Sequence, residues 1–118
     1  MRVRSAALIA LCTAAPVLAS AASWRAVPGA ELDVDLATVR QEGVRVVAWL
    51  RSWDRTVREV QFDCSRRTAQ VLATTRYDAR GRALLMSSIP GPRTTVVDGD
   101  LGWAYDSLCE MLRASGRF

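Results

Sequence analysis

The feature that most constrains the fold is a change of apolar period near residue 100. Leu32 and Val34, then Val44, Val46, Ala48 and Leu50, then Val60, Phe62 and Cys64, recur at every second position, the period of a strand with one buried face. From Leu101 onward, Ala104, Tyr105, Leu108, Cys109 and Leu112 recur at the spacing of an amphipathic helix. A row of strands that buries one face needs a cover, and the helix is the element left to supply it. The expected fold is therefore α+β and mostly β: an antiparallel meander sheet with a C-terminal helix.

Turn chemistry divides the period-two region. Leu32, Val34 and Leu36 alternate with Asp33, Asp35 and Ala37, and Gln41-Glu42-Gly43 ends that run in a turn. Val44 to Arg51 carries a mixed second face, Arg45, Val47, Trp49 and Arg51, which predicts a central strand partly covered on both sides. After Ser52 to Thr56, the run from Val57 to Cys64 puts Arg58, Val60, Phe62 and Cys64 on one face. Strict alternation would place Ala69, Val71, Ala73, Thr75 and Tyr77 together on the next strand. Asp78-Ala79-Arg80-Gly81 reads as a hairpin loop, and Arg82 to Ile89 as the returning strand, stopped by Pro90-Gly91-Pro92. Asp100 is placed to cap the helix, and Gly116 to end it.

The first 21 residues have another logic. Arg2 and Arg4 precede a nearly continuous apolar run from Ser5 to Leu18, and Ala19-Ser20-Ala21 supplies small residues. This is the pattern of a secretory signal peptide with cleavage after Ala21, and its apolar run is too short for a stable membrane span. Residues 22–118 are then a single small domain, exported to the periplasm or secreted. Leu11 ahead of Cys12 is a bulky residue where lipoprotein processing wants a small one, which argues against a lipid anchor.

Cys64 and Cys109 remain after cleavage, one on a strand face and one on the helix stripe. In an exported chain they are expected to be joined. The bridge would close a loop of 45 residues (109 minus 64) and contribute roughly 4 kcal/mol. The alternative, a metal site, lacks ligands: two cysteines and no histidine do not fill a tetrahedral zinc shell without carboxylates. No metal and no cofactor is expected.

Removing Arg2 and Arg4 from the chain's 16 arginines leaves 14 against 12 acidic residues, a net charge of +2 that does not argue for a nucleic-acid partner. The absence of histidine removes the commonest general base, and the cysteines are expected in the bridge, so the chain reads as non-enzymatic. Asp33 and Asp35 could do acid–base work if one were desolvated, but read better as the wet side of an alternating strand. Ser87 and Ser88 follow no nucleophile-elbow pattern. The more informative constellation is arginine with tryptophan. If the strand continued through its break, Trp49, Arg51 and Trp53 would share a face, with Arg55 and Arg58 nearby. Arg51, Trp53, Arg55 and Arg58 are the candidate binding patch, since arginine and tryptophan dominate binding hot spots. The plainer reading puts Trp49 in the core under the helix and makes the arginines a solvated rim.

Trp24, Asp35 to Val39, Gly43 to Trp49, Phe62-Asp-Cys64-Ser-Arg-Arg67, Tyr77-Asp78 ahead of Gly81, Pro90 and a helical Cys109 together resemble the surface-adhesin protein E family of small exported bacterial domains. That resemblance implies a mostly antiparallel sheet, a C-terminal helix tethered by the disulfide, and a homodimer as one assembly. The family's naming member is an outer-membrane lipoprotein that binds host matrix proteins. This chain departs from it in lacking a lipobox at Cys12 and in having no lysine, so no binding residue is carried over. The functional expectation is an exported binding module, adhesin-like, with a protein or glycan partner. The alternative is a periplasmic inhibitor or accessory protein that docks an enzyme or envelope complex.

Overall fold

The structure, a computed structural model, describes residues 22–116, so the expected signal segment with Cys12 lies outside the described residues. In chain order the elements are β1 (Trp24–Ala26), β2 (Leu32–Asp35), a 3-10 turn (Leu36–Thr38), β3 (Arg40–Glu42), β4 (Arg45–Ser52), β5 (Thr56–Asp63), β6 (Thr68–Tyr77), β7 (Ala83–Ser87), β8 (Arg93–Thr95) and α1 (Asp100–Ala114). All strands join one antiparallel sheet, ordered β1-β2-β4-β5-β6-β7. The two outer edges of the long strands are each shared by a short pair. β3 lies along Arg45–Val47 of β4 and β2 along Leu50–Ser52, while β8 lies along Thr68–Gln70 of β6 and β7 along Thr74–Tyr77.

Val46, Ala48 and Leu50 of β4 and Val60 and Phe62 of β5 form the buried helix-side face, with register Val46↔Phe62 and Ala48↔Val60. Against it α1 turns Ala104, Tyr105, Leu108, Cys109 and Leu112, all buried, and Tyr105 meets Phe62 edge-on with ring centroids 6.0 Å apart. The disulfide between Cys64 and Cys109 closes as expected, with Cα atoms 5.6 Å apart. The opposite face of β4 is covered too. Val47 is fully buried, in a row that runs Arg40, Val47, Gln61, Gln70, Arg93 across the sheet. Arg93 bonds Gln61, Gln70 and Thr68, and Arg40 reaches Glu42 and Glu59, so arginine and glutamine stems roof the valine.

Several local expectations change. Asp35 is buried rather than wet: its Oδ1 accepts from the Ser23 N–H at 2.8 Å and the Ala37 N–H at 3.0 Å, capping the 3-10 turn that sends Leu36 out to solvent. Asp33 instead pairs with Arg51 at 2.9 Å. In β6, register jumps from Val60↔Val71 to Glu59↔Ala73, leaving Leu72 as an extra residue. The bulge moves Ala73 and Thr75 to the face opposite Ala69 and Val71. Gly99, at φ 138°, takes the helix N-cap in place of Asp100, whose carboxylate accepts from the Glu31 N–H. Gly116, at φ 71°, ends the helix and donates its N–H to the Arg113 carbonyl.

Candidate docking surface

Strand pairing separates the four residues of the expected patch. Arg51 faces away from the helix, where its guanidinium pairs with Asp33 and lies 4.4 Å over the ring of Trp24. The cation–π pair therefore exists, but with the tryptophan of β1. Trp49 lies on that same open face, paired with Glu59, and not under the helix. Arg58 pairs with Leu50 and leaves the sheet on the helix side, donating to Ser52 Oγ at 3.3 Å. Trp53 is 72% exposed on the β4–β5 turn, and Arg55 completes that turn at φ 69° with its N–H on the Ser52 carbonyl.

The turn is not isolated. The Tyr77 N–H donates to the Arg55 carbonyl at 3.0 Å, which seats Trp53 and Arg55 beside the base of the β6–β7 hairpin. Asp78 organises the hairpin loop by accepting from the Arg80 and Arg82 N–H groups, at 2.8 and 2.9 Å, with Gly81 at φ 83°. Arg76, Arg80 and Arg82 are exposed there together with Arg55, against Asp54 and Asp78. Asp54 is held below the usual carboxylate range, chiefly by its hydrogen bonds with Thr56 and then by the charges of Arg58 and Arg76. The end of the sheet thus keeps a cationic excess.

Beyond it runs β7, the returning strand that the sequence predicts from Arg82 to Ile89, here Ala83–Ser87. Leu84 (65%), Leu85 (61%), Met86 (72%) and, just past the strand, Ile89 (82%) are exposed. Among the described residues β7 pairs only with β6, which leaves its outer backbone edge without a strand partner there. The signal was present: Leu84-Leu85-Met86 is a continuous apolar run where a half-wet strand should alternate, so both faces want cover. α1 does not provide it.

Elsewhere the carboxylates serve structure. Asp63, buried at the end of β5, accepts from the Ser65 N–H and hydroxyl and the Arg66 N–H, and pairs with Arg45. Among the described residues no three His, Cys, Asp or Glu side chains are grouped to hold a metal ion, and no helix is long and apolar enough to cross a membrane. Comparison with family models, curated proteins and solved structures finds no match to this chain.

Proposed function

We propose that this chain is an exported, non-enzymatic binding module, adhesin-like in the sense the protein E resemblance implies, that docks an extended segment of a protein partner along β7. The observation that carries the reading is the exposure of Leu84, Leu85 and Met86 on an edge strand with unpaired backbone groups. Such an edge offers main-chain hydrogen bonds to an added strand, while side-chain contacts at alternate positions set specificity. The neighbouring Arg55, Arg76, Arg80 and Arg82 favour a segment with acidic residues beside its apolar ones. The disulfide is in keeping with an oxidising compartment such as the periplasm or the cell exterior.

The test is selection of peptides from a random library on the mature domain. Selected peptides should alternate apolar residues and carry acidic ones, and the double change Leu84→Ser with Met86→Ser should weaken them by more than about 2 kcal/mol. Higher salt should mainly slow association. Peptides that bind the double variant as well as the parent would place the docking surface elsewhere. Sedimentation of the unmodified domain addresses the homodimer. Self-association that disappears in the double variant would make a second copy, rather than a foreign segment, the occupant of the edge.

A further inference from the structure

Arg58 interrupts an otherwise apolar series. Along the helix side of β5 it precedes Val60, Phe62 and Cys64, all buried, and it pairs with the buried Leu50. Arg58 is a half-buried residue, and among the described residues the one side-chain hydrogen bond of its guanidinium goes to the neutral Ser52 hydroxyl. Asp54 feels its charge from the turn but makes no ion pair with it. A guanidinium has five N–H donors, and the bond to Ser52 leaves others available to an acceptor.

Next to it lies a cavity of about 210 Å³. Leu32, Leu50, Val71 and Leu101 make its apolar walls, and Arg58 with Ser52 makes its polar end. Asp100 stands on the lining as well, its Oδ1 accepting from the Glu31 N–H at 3.2 Å. For scale, a cavity of about 150 Å³ accommodates benzene.

We infer that this cavity is a binding site for a small monocarboxylate carrying a short apolar chain. The carboxylate takes the free donors of Arg58, which suits a planar fork, and the chain lies against the leucines and valine. The Asp100 carboxylate on the lining repels negative charge on the ligand, so a dicarboxylate binds more weakly than a monocarboxylate. The same chemistry is offered by a free short-chain acid and by the C-terminal residue of a polypeptide ending in leucine or valine. This site is separate from the β7 edge, and neither depends on the other.

Titration of the isotope-labelled mature domain with 4-methylpentanoate, followed by amide NMR, tests it. Saturable shifts should centre on Leu32, Leu50, Val71 and Leu101. The matching primary amide and glutarate should bind at least about tenfold more weakly, and so should the acid to Arg58→Gln, while Arg58→Lys should retain part of the affinity. Arg66→Gln, which removes an exposed charge elsewhere, should bind the acid as the parent does. A short peptide ending in a free Leu carboxylate, set against its amidated form, identifies the source: tighter binding than 4-methylpentanoate assigns a polypeptide terminus, weaker binding a free acid. Equal binding of acid and amide, unchanged binding by a folded Arg58→Gln, or shifts scattered over the arginines of the open face would overturn the inference.

Discussion

Arg55 and Arg67 have positive φ, 69° and 52°, and are the non-glycine residues among those described that do so. Each such backbone costs on the order of 1 kcal/mol that glycine would not. The side chain of Arg55 is exposed, so Arg55→Gly should stabilise the domain by about 1 kcal/mol in urea unfolding while weakening any acidic partner at the hairpin. Arg67 differs, because its guanidinium stacks 4.9 Å over Tyr105 and pairs with Asp106. Arg67→Gly should come out near neutral, and a gain as large as that at Arg55 would show that the stacking contributes nothing. Asp63 contributes to the acid limb, beside the lowered Asp54 of the β4–β5 turn. The Asp63 carboxyl is held below the usual range, first by the Ser65 hydroxyl and then by the Ser65 N–H and Arg45, against the cost of burial. A depressed folded pKa means stability present above the unfolded value, near 4, and lost as pH falls below it through the folded value. Asp63→Asn should reduce the pH dependence of unfolding below about pH 4 and cost about 1–2 kcal/mol at neutral pH.

At the scale of elements, α1 is seated as much by a glycine as by its apolar stripe. A Cβ on Gly102 would lie 2.8 Å from the Val97 carbonyl oxygen. Helix propensity alone predicts a gain of about 1 kcal/mol for Gly102→Ala, whereas the contact predicts a net loss of about 1–2 kcal/mol, and thermal unfolding decides the sign. The helix and the long strands were legible because each spans several periods of its own pattern. Three-residue β1, β3 and β8 were not, since so short a run shows no alternation to count. The bulge at Leu72 was hidden for another reason: an inserted backbone residue leaves the composition unchanged and flips every later side chain. That rule also dispersed the expected patch. Arg51 and Arg58 are neighbours in sequence, but their pairing partners, Val57 and Leu50, put them on opposite faces. The exposed run of β7 was visible as a string of apolar letters, yet its lack of cover could be known only once the reach of the helix was known.

For the whole molecule, the bond from Cys64 to Cys109 ties the sheet to its cover across 45 residues. Cys109→Ser should cost roughly 2–5 kcal/mol, measured against the oxidised parent, and leave one titratable thiol at Cys64. The proposed signal-peptide cleavage predicts Ala22 as the first residue of the mature protein in mass spectrometry, whereas an acylated Cys12 would mean a membrane anchor. The strand order carries a further consequence, for orientation. The row Ala26, Asp33, Arg51, Val57, Thr75, Met86 crosses six strands from β1 to β7, roughly 24 Å at ordinary strand spacing. Whatever is attached ahead of Trp24 therefore leaves from the border opposite the free strand. With no lysine in the chain, the N-terminal amine is the one point for amine coupling. A sensor chip loaded that way, or a natural tether at that end, would hold every copy by its back and turn Leu84 and Met86 toward the solution.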